Sequence, residues 1–129
     1  MVGKTELYDA FGELIYAVAK ADGFIQNEEV GKLQELLASH TWGKEIGWSF
    51  NYEREKKQDL QTAYDKALYT CKEFGPSPEY PKLLDILQQI AAASDGIDSD
   101  EARLIHNFEA ELSRKFRVDL LEGKWMVKD

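Results

Sequence analysis

Two stretches decide the fold of this chain: Ala19-Lys20-Ala21-Asp22-Gly23-Phe24-Ile25-Gln26-Asn27-Glu28-Glu29 and Ala92-Ala93-Ser94-Asp95-Gly96-Ile97-Asp98-Ser99-Asp100-Glu101. Each stretch ends a long apolar helical pattern. With one extra residue allowed, Phe24, the two share the string Asp-Gly-(x)-Ile-x-x-acid-Glu. The match predicts two copies of one helix–turn–helix unit, with acidic residues gathered at both turns.

The first unit spans about residues 5–39. Its first helix, residues 5–21, has a narrow polar strip of mainly Asp9, Glu13 and Lys20, which predicts burial on several sides. Gly12 on that helix would allow a neighbouring helix to approach closely. Residues 27–39 then follow as an ordinary amphipathic helix.

The second unit, about residues 79–116, repeats this arrangement. Ser77-Pro78 supplies an N-cap and a first helical residue, and the helix after it leaves only Lys82, Asp85 and Gln89 as a polar strip. This pattern predicts a second central helix. Its partner helix runs over about residues 99–115, and Asp98 with Glu101 forms a capping box at its start.

The middle of the chain, residues 40–73, connects the two units. Residues 41–52 are rich in aromatic side chains and contain two glycines, so they form either a short helix packed on the core or an exposed aromatic patch. Burial is favoured, because large aromatics contribute most to small cores. Residues 53–73 are predicted to form one long helix, and residues 117–129 a tail that packs back in a turn or two.

We therefore expect an all-α protein of about five to seven helices, with residues 1–129 forming a single compact domain. The chain has 129 residues, which suits one domain with a real core. The single Cys71 excludes an internal disulfide and lies in an apolar pattern, where it would act as a small filler.

Charge composition limits the function classes. Lys and Arg total 16 against 24 Asp and Glu, a net charge of −8, and no long basic run is present. Nucleic acid is therefore not an expected partner. No apolar run is long enough for membrane insertion, and no hydrophobic signal core follows Met1, so we expect a cytoplasmic protein.

The acids at the two turns have two interpretations. Asp22 and Asp95 each end a helix, where the negative end of the dipole costs about 0.3–1 kcal/mol. The amides at the start of the next helix could offset this cost, and this capping interpretation is favoured. Alternatively, a divalent cation such as Ca²⁺, Mg²⁺ or Mn²⁺ binds the carboxylates, a metal set of Asp22, Glu28, Glu29, Asp95, Asp98 and Glu101. Neither turn has the ligand spacing of an EF-hand.

The recurring pattern Ala-Asp-Gly-x-Ile-x-x-Glu-Glu, seen again as Ala-Ser-Asp-Gly-Ile-Asp-Ser-Asp-Glu, resembles the TerB-like family. This family comprises the tellurite-resistance TerB proteins and the related N-terminal domain of DjlA-type co-chaperones. The resemblance covers about residues 5–39 and 79–116. It implies two intertwined helical hairpins, turn acids that bind a divalent cation, and an association with tellurite or general stress resistance. Its motif positions are Asp22, Glu28, Glu29, Asp95 and Glu101; Gln26-Asn27 and the aromatic segment depart from the family pattern.

No arrangement of residues points to catalysis. His106 with Glu109 has no third ligand at zinc spacing and is expected to be a solvent-facing pair, and the chain has no nucleophile elbow or phosphate-binding glycine loop. We expect a non-enzymatic protein. Two functions remain: a divalent-cation-binding stress protein, and a metal-independent helical module, adaptor or co-chaperone-like, that binds a protein partner through its aromatic segment or its acidic face.

Overall fold

The computed structural model describes residues 4–21, 25, 27–40, 43–74, 80–93 and 99–116. These residues form six α-helices and no β-strand, which confirms the all-α expectation. The helices are α1 (Lys4–Ala19), α2 (Asn27–Leu37), α3 (Gly43–Lys56), α4 (Leu60–Phe74), α5 (Tyr80–Ala91) and α6 (Ser99–Phe116). None of them combines the length and the apolar character that a membrane span requires. The predicted cap at residues 77–78 and the predicted tail at 117–129 lie outside the described residues.

Helix α1 lies at the centre of the molecule. It contacts α3, α4, α5 and α6, and no residue from Leu7 to Ala19 is exposed. The narrow polar strip therefore predicted its burial correctly. Phe11 of its first half belongs to a cluster with three rings of other helices. Between ring centroids, Phe11 lies 6.1 Å from Tyr80 and 6.1 Å from Phe108, and Tyr64 lies 6.2 Å from Phe108. These rings join α1, α4, α5 and α6 into one core.

Helices α1 and α3 approach each other backbone to backbone at Gly12, as its position predicted. A Cβ atom on Gly12 would lie 2.6 Å from the carbonyl oxygen of Ile46 and 2.6 Å from Cβ of Ser49. Ser49 Oγ donates to the main-chain oxygen of Asp9 over 2.7 Å. The absence of a side chain at Gly12 thus sets the spacing of the two helices.

The prediction of one helix over residues 53–73 is wrong. Helix α3 continues to Lys56 and ends in a Schellman-type turn, in which Lys57 takes a left-handed φ of 51°. The amide of Gln58 donates to the oxygen of Glu53, and the amide of Lys57 to that of Arg54, each over 3.1 Å. Apolar spacing resumes in register after the turn, which is why periodicity alone did not show the break.

Two side chains hold this turn in place. Asp59 Oδ2 accepts from the amide of Thr62 over 3.1 Å and so caps the start of α4. Tyr16 donates its hydroxyl to the main-chain oxygen of Gln58 over 2.8 Å, which ties the turn to central helix α1. The turn directs α4 back along α1.

The second helix of each predicted hairpin packs against the first helix of the other hairpin. Helix α2 contacts α5 of the second unit, and α6 contacts α1 of the first unit. These two contacts are equivalent if α1 corresponds to α5 and α2 to α6. Among the described residues, each second helix therefore makes its main backbone contacts outside its own hairpin, and the two units are interlocked.

Cys71 is fully buried in this core, as predicted. The main-chain oxygen of Cys71 accepts from the hydroxyl of Tyr80 over 2.7 Å. Burial raises the pKa of the Cys71 thiol, so the group stays protonated and unreactive at neutral pH.

Candidate functional site

Three of the six predicted cation ligands lie in the described part of the chain. Glu28 and Glu29 belong to the first turn of α2, and Glu101 to the first turn of α6. Asp22, Asp95 and Asp98 lie outside the described residues. The structure thus shows the helix-starting acids of both turns, one set on each hairpin.

Glu29 and Glu101 are buried at equivalent positions. Each is the third residue of its helix, and their exposed fractions are 1% and 2%, whereas Glu28 is exposed. A buried carboxylate costs several kcal/mol unless neighbouring groups compensate it. At the start of a helix the compensation comes from the free amides and the positive end of the dipole, from a bound cation, or from both. Sequence reasoning included both residues but did not foresee their burial.

The described carboxylates do not make a metal site by themselves. Within residues 4–116, leaving out the gaps, no three His, Cys, Asp or Glu side chains gather in a way that could hold a metal ion. A cation site at the turns would therefore need Asp22, Asp95 or Asp98 in addition. All the predicted ligands donate oxygen, the donor type that Ca²⁺, Mg²⁺ and Mn²⁺ prefer.

The start of α2, which follows the first turn, lies beside the end of α5, which precedes the second turn. A shallow depression of about 560 Å³ is lined by Glu28 and Gly31 of α2 and by Gln89, Ala92 and Ala93 at the end of α5. Lys32 and Glu35, an ion pair at 3.0 Å, lie on its α2 side. The start of the first unit's second helix is thus beside the chain that leads into the second turn.

A second acidic cluster, which sequence reasoning did not single out, lies between α1 and α3. Burial, a hydrogen bond with Glu45, and the charges of Glu45, Glu13 and Glu6 raise the pKa of Asp9 to about 7. The protonated carboxyl of Asp9 donates to Glu45. In the described part of the chain, Asp9 Oδ1 has no hydrogen-bond partner. The Asp9 carboxyl is therefore partly protonated near neutral pH at the interface of the two helices.

Lys66 of α4 balances the deeper acids of the same interface. Its Nζ lies 3.3 Å from Glu53 and 3.5 Å from Glu13. The Glu53 side chain is 1% exposed, and burial raises the pKa of Glu13 despite the opposing charge of Lys66. This triad joins α1, α3 and α4, and the ion pairs with Lys66 account for the buried position of Glu53 and the partly buried position of Glu13. In the sequence, Glu13 is a single acid among the apolar residues of a helical pattern and Glu53 begins a charged run, patterns that ordinary exposed positions also show.

His106 and Glu109 do not form the solvent-facing pair that we expected. His106 is exposed, but Glu109 is 8% exposed and accepts from the side-chain amide of Gln88 over 3.2 Å. The hydrogen bond joins α5 to α6, which assigns Glu109 a packing role.

The aromatic segment forms the first part of α3, and its side chains divide between the two sides of the helix. Phe50 is 1% exposed, as the burial prediction required, but Trp48 and Tyr52 are 59% and 43% exposed, and for these two that prediction is wrong. Their rings stack with centroids 5.4 Å apart and an interplanar angle of 17°. Their spacing of four residues was the signal that could have shown a shared outer face. Trp42 lies outside the described residues.

Comparison of the chain with protein-family models, with curated proteins and with solved structures found no match in any of the three.

Proposed function

We propose that this chain is a non-enzymatic, cytoplasmic, TerB-like protein that binds a divalent cation at its two acidic turns. The observation that carries this proposal is the burial of Glu29 and Glu101 at equivalent helix starts. Two buried carboxylates at matched positions suit a duplicated site that holds positive charge. The likeness of the turn sequences to the TerB-like pattern adds tellurite or general stress resistance as the proposed process.

The proposed ligands are Asp22, Glu28, Glu29, Asp95, Asp98 and Glu101, and the ion is Ca²⁺, Mg²⁺ or Mn²⁺. A bound cation would add its positive charge to that of the dipole at each helix start. The depression shared by α2 and α5 supports an effect on how the two units pack, because it lies between the start of α2 and the end of α5. Binding would then stabilise the folded protein or a conformation that a partner recognises.

The experiment follows the melting temperature of chelated protein as each ion is added. Binding stabilises by about 2.7 kcal/mol at an ion concentration of about 100 times Kd, which corresponds to a rise of several degrees in Tm. We expect Glu29→Gln and Glu101→Gln to keep most of the basal stability, because glutamine can still accept the amide hydrogen bond of a capping box. Both variants should lose most of the response to the ion.

Glu35→Gln is the matched control, since Glu35 lies on α2 but pairs with Lys32 and is not a proposed ligand. It should respond to the ion like the unmodified protein. The proposal fails if no ion shifts Tm, or if Asp22→Asn, Asp95→Asn and the two glutamine variants respond as strongly as the unmodified chain.

The second candidate function is a metal-independent helical module that binds a protein partner. The stacked, exposed Trp48 and Tyr52 favour it, because large aromatics exposed side by side are typical of interaction surfaces. In this case the turn acids serve only as caps.

A further inference from the structure

Two of the three acids of α3 are buried or partly buried, whereas its cations are exposed, so the exposed charge of this helix is opposite in sign to the net charge of the chain. Glu53 is buried against Lys66, and Glu45 is partly buried beside Asp9. The exposed charged residues of α3 are Lys44, Arg54 and Lys56 against Glu55, and exposed Lys57 follows the helix. In a chain of net charge −8 this face is locally positive.

The same outer face carries the aromatic pair, with cations at both ends. Lys44, Trp48, Tyr52 and Lys56 follow one another at a spacing of four residues and form one stripe along α3, which we call the aromatic stripe. Lys56 Nζ lies 5.1 Å from the ring centroid of Tyr52 and donates to its hydroxyl over 3.1 Å. The pair is therefore held in a fixed arrangement while it is exposed to water.

An apolar groove runs along the aromatic stripe, between α2 and α3. It has a volume of about 220 Å³, and Val30, Leu33 and Leu37 of α2 face Gly43, Gly47 and Asn51 of α3 across it. Gly43 lets the start of α3 meet the end of α2, since a Cβ atom there would collide with the main chain of Leu37. A further depression of about 270 Å³ at Asn51, Arg54 and Glu55 continues the groove toward the end of α3.

The groove and the stripe form one continuous surface. Successive helical residues are about 100° apart, so positions 44, 47 and 51 adjoin positions 48 and 52 on the helix, away from the buried Ile46, Phe50 and Glu53. The distance from Lys44 to Lys56 is about 18 Å along the helix axis, the length of about 12 helical residues. The aromatic pair makes one wall and α2 the other.

We propose that this groove binds an acidic amphipathic helix of a partner protein. The apolar floor would take the apolar stripe of such a helix, the aromatic pair would cover its side, and Lys44, Arg54 and Lys56 would face its carboxylates. This inference develops the second candidate function and is independent of cation binding at the turns.

Charge and shape favour this partner over other occupants. A nucleic acid or an anionic membrane extends beyond this face and would meet the net charge of −8 of the rest of the chain, whereas a short acidic helix would contact only the locally positive face. The two rings already stack on each other, which leaves less ring surface for a nucleobase, and the floor of leucine and valine offers nothing to a phosphate backbone. The groove is apolar, lies between two helices and has cations at both ends, features that suit the binding of an acidic amphipathic helix.

The test uses two labelled synthetic peptides of the same composition. The first places Leu at helical spacing on one face and Glu on the other, and the second is a scrambled version with no apolar face. Fluorescence anisotropy in the presence of a chelator should show binding of the first peptide alone, weakening as salt is added. The chelator separates this test from the cation proposal, because ion binding at the turns can fail without changing its result.

Two substitutions on the aromatic stripe sharpen the test. Trp48→Ala removes an exposed anchor from a helix, and Lys44→Glu reverses a charge in the first turn of α3, where an acid suits the helix dipole, so both variants should fold. Each should weaken peptide binding, Trp48→Ala by at least about tenfold. Tyr69→Ala is the matched control: Tyr69 is 68% exposed on α4, and its replacement should leave binding unchanged.

The inference is overturned if neither peptide binds, if the scrambled peptide binds equally, or if Trp48→Ala binds like Tyr69→Ala. A thymidine oligonucleotide, vesicles of phosphatidylcholine and phosphatidylserine, and the protein alone in sedimentation equilibrium are tested in parallel. Binding to the oligonucleotide or to the vesicles, or dimerisation, would overturn the inference if it depended on Trp48. The occupant of the groove would then be nucleic acid, a membrane or a second copy of the chain.

Discussion

At the scale of single residues, two glycines within helices have opposite surroundings. A Cβ atom on Gly12 would meet the main chain of α3 at 2.6 Å, whereas one on Gly31 of α2 would meet nothing within 4 Å. We expect Gly12→Ala to destabilise the protein by about 1–3 kcal/mol, because α1 and α3 would have to move apart. Gly31→Ala should stabilise it by about 0.5–1 kcal/mol through helix propensity alone.

Urea unfolding of both variants measures these changes, and each glycine serves as the control for the other. Equal effects of the two substitutions would show that the close approach at Gly12 does not set the packing of α1 on α3. Such a result would also argue against the burial of Glu53 and the partial burial of Glu13 between α1 and α3.

At the scale of elements, the contact of α1 with α3 contains a carboxyl that holds its proton to about pH 7. The pKa of Asp9 is about 7 in the folded protein against an ordinary 3.8, so the folded state binds a proton that the unfolded state has lost. Stability from this group is fully present below about pH 4 and decreases as pH rises to about 7. Glu6 and Glu13 on α1 and Glu45 on α3 are the charges that face it.

Asp9→Asn should therefore raise the free energy of unfolding at neutral pH. Asparagine keeps the size of the side chain, can donate to Glu45 and carries no charge, so we expect a gain of about 1 kcal/mol at about pH 8. The gain should shrink as pH falls toward about 4. Urea unfolding across this pH range measures it. Asp65→Asn, at an exposed position of α4, is the control. A gain for Asp9→Asn that did not vary with pH would contradict the raised pKa of Asp9.

At the scale of the whole molecule, the packing of each second helix against the first helix of the other hairpin makes the two units depend on each other. Helix α5 packs on α1 and α2, and α6 packs on α1 and α4, so in a fragment of residues 75–129 helices α5 and α6 would lose these neighbours. We expect this fragment to show no cooperative thermal transition in far-ultraviolet circular dichroism. Mixing it with residues 1–74 should restore one. A cooperative transition of the isolated fragment would show that the second unit folds independently.

The sequence by itself determined the helical class, the helices of both predicted units, the burial of α1 and the close approach at Gly12. These features follow from local signals: apolar period, turn residues and a missing side chain. It also placed acids at both turns. The carboxylates of Asp22, Asp95 and Asp98 lie outside the described residues, so their role as ligands stays a prediction.

Only the tertiary structure decided which side of each helix meets which neighbour. The helix break at Lys57 is held by the hydrogen bond from the hydroxyl of Tyr16 to the main-chain oxygen of Gln58. These two residues are 42 positions apart, so local periodicity cannot show the contact. Glu29, Glu53 and Glu101 look like surface acids in sequence but are buried, because burial depends on what packs over a residue and not on its type. Trp48 and Tyr52 are exposed for the same reason: the neighbouring helices already cover the opposite side of α3.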